Sequence, residues 1–280
     1  MMNSENLLIL YGLASATGWG VGDFYGGLTT KRINVYRVIL ISQIIGVTML
    51  LAFAVIIAEP LPSFDDLLLG GIAGISATSG LAALYLGLAR GHMGIVAPVA
   101  AVVASILPIL VAFFTEGLPS NSQLIGFGFA LLAVWLLSSA GDDRTFTRRD
   151  LRLPVIAGMG FALFYILIDR VDDDALIWPL VAARVTSITI LSLVNVVQRR
   201  RESISGKQLG IIAATGIFET GGGAFFALAT HVGRLDVSTI LSSLYPAVTV
   251  VLAWAVLKER FKRQQWAGIF LTLVALVLIA

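Results

Sequence analysis

The sequence predicts an all-α integral membrane protein, with ten transmembrane helices that form two inverted five-helix repeats around a central cavity. Three observations support this prediction: the composition, ten apolar segments of transmembrane length, and an internal repeat at a shift of 140 residues. Of the 280 residues, 58% are hydrophobic and 13% are charged, and the mean hydropathy is +0.92. Soluble domains carry about 25% charged residues, so this composition excludes a soluble globular domain.

Each apolar segment is about as long as a helix must be to cross a bilayer. The ten segments cover residues 7–28, 35–57, 66–89, 94–114, 122–139, 152–169, 175–198, 207–230, 236–256 and 264–280. Their connections are short and hold turn-forming and charged residues, so we expect consecutive helices to be antiparallel neighbours. Residues 1–6 contain no Lys or Arg, which argues against a cleaved signal peptide and predicts that the first helix is retained.

The distribution of Lys and Arg predicts the orientation of the chain. Sixteen of the 19 lie in or beside the loops after segments 1, 3, 5, 7 and 9, whereas Arg170 and Arg234 lie on the other side and Arg184 lies within segment 7. Cytoplasmic loops carry the excess of positive charge, so both termini are expected outside a plasma membrane, the inner membrane of a bacterium. These loops account for the net charge of +2, and no nucleic-acid partner is expected.

The internal repeat divides the chain into two related halves. Leu69–Ala89 aligns without a gap with Leu209–Ala229. Because each half contains an odd number of segments, the halves should face opposite ways, as the inverted repeats of secondary transporters do. The predicted units are a first repeat over 1–140, a cytoplasmic linker over 141–151 and a second repeat over 152–280.

Glu219, near the middle of the eighth segment, is the strongest functional signal. A carboxylate at that depth is costly unless it faces a partner or a wet cavity. Arg184 lies at a similar predicted depth, so two interpretations are open. The two residues form a structural ion pair, or Glu219 exchanges a proton or holds a cationic substrate group. Ser79 stands at the position of Glu219 in the first half.

Asp23 lies near the cytoplasmic end of the first segment, where we expect it to pair with Lys31, Arg32 or Arg37. A gate or a second coupling site is the alternative. Membrane aromatic residues more often pack or anchor than bind ligands, but those in stretches marked by glycine, serine or proline favour a cavity, with Trp19 and Tyr245 first. The candidate substrate and coupling residues are Glu219, Arg184, Trp19, Tyr245, Ser79, Tyr85, Tyr165 and Asp23.

Three motifs follow one another near the end of the sequence: Ser242-Ser243-Leu244-Tyr245-Pro246, Leu257-Lys258-Glu259-Arg260 and Gln265-Trp266-Ala267-Gly268. Through these motifs the chain resembles the EamA-type transporters of the drug/metabolite transporter superfamily. The resemblance implies ten helices in inverted repeats, a central cavity, and substrates among amino acids, drugs, sugars and other small metabolites. Two features depart from the family: Thr115 to Pro119 lacks the basic residue of the motif, and members often have cytoplasmic termini.

The leading hypothesis is a monomeric secondary transporter, acting as an exporter of small metabolites such as amino acids or drugs by alternating access, with proton coupling through Glu219. An uncoupled facilitator of the same substrates is the nearest alternative. A structural or receptor-like protein would not require Glu219.

An intramembrane enzyme is a further alternative, because Gly20-Val21-Gly22-Asp23 contains the Gly-x-Gly-Asp of intramembrane aspartyl proteases. That chemistry needs two carboxylates that share a proton, and no Tyr-Asp occurs in a second helix. No Walker loop is present, and the chain has no cysteine and only two histidines. Neither a metal site nor a cofactor is therefore expected.

Overall fold

The computed structural model describes residues 3–89, 93–139, 151–172, 174–198, 203–258 and 262–279. These residues form eleven α-helices and no strand. The helices are α1 Ser4–Thr30, α2 Val35–Ile57, α3 Phe64–Ala89, α4 Met93–Thr115, α5 Asn121–Ser139, α6 Arg152–Asp169, α7 Ile177–Gln198, α8 Gly206–Val232, α9 Leu235–Ser242, α10 Tyr245–Leu257 and α11 Arg263–Ile279. Most of the predicted linker, together with Glu259 and Arg260 of the resemblance motif, lies outside the described residues.

Six spans in the described part of the chain are long and apolar enough to cross a membrane. They are Val35–Ile57, Phe64–Ala89, Arg152–Asp169, Ile177–Gln198, Gly206–Val232 and Leu235–Val256. The helices and their apolar spans confirm the prediction of an all-α, multi-pass membrane protein.

The ninth predicted segment is two helices. The expected single helix over 236–256 is interrupted at Ser243 and Leu244, which end α9 and precede α10. Leu244 donates its N–H to Leu241 O at 3.3 Å, a three-residue spacing that closes the last turn of α9. Pro246 then lies in the first turn of α10, where its missing N–H leaves no intrahelical bond unmade. The break places Tyr245 at a helix start inside the bundle.

The helices of the two halves pack against each other in exchanged pairs. Helix α1 packs on α8 and α10, and the first helix of the second half, α6, packs on α3 and α4. Helix α2 packs on α7, and α5 packs on α11. Each of these pairs joins the two helices that hold the same place in their own half of the chain. Glycine permits two of the crossings: a Cβ on Gly18 would lie 2.7 Å from Gly222 N, and one on Gly160 would lie 2.8 Å from Gly80 Cα.

Two carboxylates fix helix starts at the end of the bundle where α2 and α4 finish. Glu59 accepts backbone N–H bonds from Leu176 at 2.8 Å and Ile177 at 2.9 Å, at the start of α7. Glu116 accepts from the N–H of Leu235 at 3.3 Å, at the start of α9. Burial raises the pKa of Glu116, and the Leu235 N–H opposes that shift. Each carboxylate therefore ties a loop of the first half to a helix of the second half.

Candidate functional site

A cavity in the middle of the bundle is enclosed by helices from both halves. The volume that the centres of water molecules can occupy in it is about 70 Å³. This is room for several waters or a small substrate group. Its polar lining residues are Asp23, Gln43, Arg184, Ser187, Glu219 and Thr220. Its aromatic lining residues are Trp19, Phe161, Phe164, Tyr165 and Tyr245.

Asp23 on α1 and Glu219 on α8 form a carboxyl pair at this cavity. Each is 7% exposed, and their side chains lie within hydrogen-bonding reach of each other. Ionised carboxylates only accept hydrogen bonds, so a hydrogen bond between the two groups forms when one of them is protonated. Gly22 leaves space for the pair, because a Cβ there would lie 2.7 Å from Glu219 Oε1. The arrangement can hold one proton in the interior of the bundle.

This pair corrects the expectation for Asp23. We predicted a contact with Lys31, Arg32 or Arg37 at the membrane interface, whereas Asp23 is buried and its carboxyl group interacts with Glu219. The two ion pairs within the described ranges both involve Arg234 and do not include Asp23. The sequence contains both carboxylates, but their partnership depends on the crossing of α1 and α8, which no local pattern encodes.

Tyr85 on α3 contacts both helices that carry the pair. Its side chain is fully buried, and its hydroxyl lies 3.4 Å from Glu219 Oε1 and 3.5 Å from Gly22 O, to either of which it can donate. A Cβ on Gly26 would lie 2.1 Å from the Tyr85 hydroxyl, so glycine is required where α1 passes it. Tyr85 therefore orients Glu219 from behind the cavity wall.

Arg184 on α7 donates from Nη1 to Oε1 of Gln43 on α2 at 2.6 Å. The ion pairs that the structure records in the described part of the chain do not join Arg184 to Glu219, although both line the cavity. The direct ion pair considered above is thus replaced by a bond to a neutral amide. Gln43, which is 4% exposed, is not among the residues predicted for the site; the sequence signal for it is a glutamine inside the apolar second segment.

The aromatic residues form one wall of the cavity. The ring of Trp19 stacks on that of Tyr165 with centroids 5.4 Å apart, and Tyr165 lies 4.6 Å from Phe226. Tyr245, at the start of α10, donates to Ala97 O at 3.3 Å. The structure therefore brings three of the predicted aromatic residues, Trp19, Tyr165 and Tyr245, to the cavity.

Ser79 is the candidate that reaches neither the cavity nor the carboxyl pair. Its side chain is exposed, and its hydroxyl donates to Ser76 O at 2.8 Å within α3. Helix α3 presents Gly74, Ala77 and Leu81 to the cavity, at three- and four-residue spacing. A residue two positions after Ala77 faces the other side of the helix, so alignment with Glu219 does not place Ser79 at the site.

The fold is that of a multi-pass membrane protein, and the family match defines the class as a membrane transporter of small molecules. The chain matches the EamA-like transporter family over residues 6–139 and again over 153–280. The protein belongs to the EamA-like transporter family. Its fold is similar to that of a protein known from a crystal structure, with a TM-score of 0.77 over 97% of this chain and 95% of that chain at 14% identity. No curated protein sequence matches the chain.

Proposed function

We propose that the protein is a secondary transporter that exports small metabolites, such as amino acids or drugs, by alternating access in exchange for protons. The observation that carries the proposal is the Asp23–Glu219 carboxyl pair in a cavity lined by both halves. Asp23 and Glu219 are the proton carriers, and Trp19, Tyr165 and Tyr245 supply the apolar surface that binds the body of the substrate.

The charges around the cavity support exchange of a proton for a cationic group. When the carboxyl pair holds one proton, the remaining negative charge balances that of Arg184. Loss of the proton leaves one excess negative charge in a poorly solvated site, which stabilises an incoming cation. The proton and the cationic group of the substrate then exclude each other. In a membrane with an inward proton gradient, this exclusion drives the substrate outward.

The exchanged packing of the halves supports alternating access. The contacts of α1 with α8 and of α6 with α3 are counterparts in the two halves, as expected for ten transmembrane segments in two inverted repeats. Asp23 and Glu219 lie on the two sides of the α1–α8 contact. Rocking of one half against the other therefore changes the distance between the two carboxyl groups and couples protonation to access.

Transport into proteoliposomes tests the proposal. Labelled amino acids and a labelled cationic drug are offered with and without a proton gradient, to the wild type, to Glu219→Gln and to the exposed control Asp65→Asn. We expect the gradient to drive accumulation in the wild type and the control. Glu219→Gln should abolish that accumulation while substrate exchange continues, since glutamine keeps the shape without carrying a proton.

A Glu219→Gln variant that keeps gradient-driven accumulation would contradict proton coupling through Glu219. Equal, gradient-independent transport in both the wild type and Glu219→Gln would identify an uncoupled facilitator. The control separates these outcomes from a general effect of removing an acidic side chain, because Asp65 is exposed at the start of α3.

A further inference from the structure

A second cavity opens where α1 ends and α8 begins, away from the carboxyl pair. The volume that the centres of water molecules can occupy in it is about 410 Å³, several times the corresponding volume of the central cavity. One side is lined by Leu28, Thr29, Lys31 and Arg32, and the other by Ser205, Lys207, Gln208 and Ile211. The cavity thus lies between the end of a helix of the first half and the first turn of a helix of the second half.

Three positive charges converge on this cavity without a partner in the described part of the chain. Lys31, Arg32 and Lys207 are exposed, and neither of the ion pairs formed by residues of the described ranges includes them. The described lining residues contribute no carboxylate. Such a concentration of positive charge at the end of a membrane bundle attracts anions.

The start of α8 adds backbone donors to the same cavity. Ser205 and Gln208 form a capping box, in which Gln208 Oε1 accepts from Ser205 N at 2.8 Å and Ser205 Oγ accepts from Gln208 N at 3.4 Å. The N–H groups of Gly206 and Lys207, in the first helical turn, have no partner within the helix and are available to a ligand. Helix N-termini with free N–H groups favour phosphate.

Apolar surface continues from the cavity along α8. Leu28 and Ile211 line the cavity and are partly exposed, and Phe218 and Phe225, which follow Ile211 at seven-residue intervals on the same side of the helix, are 41% and 38% exposed. A ligand here would therefore meet positive charge at the membrane surface and apolar side chains along the membrane-spanning part of α8. This combination matches a lipid with a charged headgroup better than it matches a free ion.

We propose that the cavity between the end of α1 and the start of α8 binds the phosphate-bearing headgroup of an anionic lipid, with the acyl chains along α8. The headgroup phosphate contacts Lys31, Arg32 and Lys207. A bound lipid bridges the two helices that carry Asp23 and Glu219. The site is independent of the proposed exchange reaction, since none of its lining residues belongs to the central cavity.

Native mass spectrometry of the purified protein tests this site without a transport assay. Phosphatidylglycerol or phosphatidylcholine is added to delipidated protein, and bound lipid is counted for the wild type and for the variant Lys31→Ala/Arg32→Ala/Lys207→Ala. The matched control Lys258→Ala/Lys262→Ala/Arg263→Ala removes three charges at the same end of the bundle. We expect the affinity for phosphatidylglycerol to fall by about tenfold or more in the first variant and to stay within about twofold in the control.

Equal losses in the two triple variants, or no loss in the first, would overturn the site. Binding of phosphatidylcholine as strong as that of phosphatidylglycerol would also overturn it. A soluble phosphate is the other source of the same chemistry, so millimolar inorganic phosphate is added in a further arm. Complete displacement of phosphatidylglycerol by that phosphate would reject the lipid.

The single variant Lys207→Glu guards against an unfolded triple variant. It reverses one exposed charge, so its midpoint of thermal unfolding in lipid-free detergent should equal that of the wild type. The affinity for phosphatidylglycerol should nevertheless fall by about fivefold or more. An unchanged affinity in this variant would contradict a role of Lys207 in the site.

Discussion

Arg184 shows how a single charged residue is accommodated inside the bundle. Its Nη1 donates to Gln43 at 2.6 Å, so a neutral acceptor satisfies the donor without neutralising the charge. Both residues line the central cavity together with Glu219. The charge of Arg184 therefore lies beside the carboxyl pair and is not neutralised by its hydrogen-bond partner.

We predict that Gln43→Leu lowers the free energy of unfolding by about 1 to 3 kcal/mol, because the buried guanidinium loses its acceptor. The double variant Gln43→Leu/Arg184→Met should recover most of this loss, since donor and acceptor are removed together. Thermal unfolding in detergent measures the free energy of unfolding of the wild type, of the single variants Gln43→Leu and Arg184→Met, and of the double variant. The exposed control Arg170→Ala should change the free energy of unfolding by less than about 0.5 kcal/mol. Effects of Gln43 and Arg184 that add within about 0.5 kcal/mol would show that the two residues do not interact.

A second residue-scale prediction concerns the Tyr85 hydroxyl, which orients Glu219. Tyr85→Phe keeps the ring in its buried position and removes the donor, so stability should fall by only about 1 kcal/mol. Proton-driven transport should fall more, by about fivefold to tenfold, if the hydroxyl positions the proton carrier. Tyr25→Phe, at a partly exposed tyrosine of α1, is the control and should transport at the wild-type rate. Equal rates for Tyr85→Phe and Tyr25→Phe would limit Tyr85 to a packing role.

At the scale of elements, the helix starts at one end of the bundle depend on residues of the opposite half. The first turn of α7 receives no acidic residue of its own, and Glu59, which follows α2, accepts its N–H groups instead. Trp178 reinforces the contact by donating from its indole nitrogen to Glu59 O at 3.1 Å. Glu59 thus caps α7 and links it to the loop after α2.

Glu59→Ala should lower the free energy of unfolding by about 1 to 2 kcal/mol, because the N–H groups that begin α7 lose a charged acceptor. Asp65→Ala is the matched control, since Asp65 is an exposed carboxylate in the next helix. Its substitution should cost no more than about 0.5 kcal/mol. The midpoint of thermal unfolding in detergent distinguishes the two. A midpoint for Glu59→Ala that equals the midpoint for Asp65→Ala would show that α7 needs no cap from the first half.

At the scale of the whole molecule, the unequal distribution of Lys and Arg predicts that the ends of α1 and α7 face the cytoplasm. The native chain contains no cysteine, so introduced thiols report their own position without background. Leu61, which is 73% exposed between α2 and α3, and Ser203, which is exposed before α8, lie at opposite ends of the bundle.

In right-side-out vesicles, an impermeant maleimide should label Leu61→Cys from outside and should label Ser203→Cys only after the membrane is opened. The reason is the excess of positive charge on the side of Ser203, which resists translocation. Fluorescence of the labelled protein in a gel measures the result. Labelling of Ser203→Cys in sealed vesicles would reverse the orientation, and with it the direction in which the proposed exchange moves the substrate.

Several features of the whole molecule could be predicted from the sequence because they depend on local composition. Apolar length and hydropathy indicate the membrane-spanning helices, and the high cost of a buried charge singles out Glu219 and Arg184. Pro246 is a residue that kinks a helix or starts one, but the apolar pattern over 236–256 predicts a single segment and does not show that the chain breaks into α9 and α10. Ser79 was misplaced because alignment with Glu219 does not show which side of the helix faces the cavity.

The sequence by itself thus determined the class of protein, most of the helical segments, the paired halves and six of the residues that line the cavity: Trp19, Asp23, Tyr165, Arg184, Glu219 and Tyr245. Only the tertiary structure decided the partners: Asp23 with Glu219, Arg184 with Gln43, and Tyr85 with Glu219. The physical reason is that hydropathy and helical period act along a short stretch of chain. Partnership between helices depends instead on where they cross, and glycine at positions such as Gly18 and Gly22 sets that crossing by letting α1 and α8 approach closely.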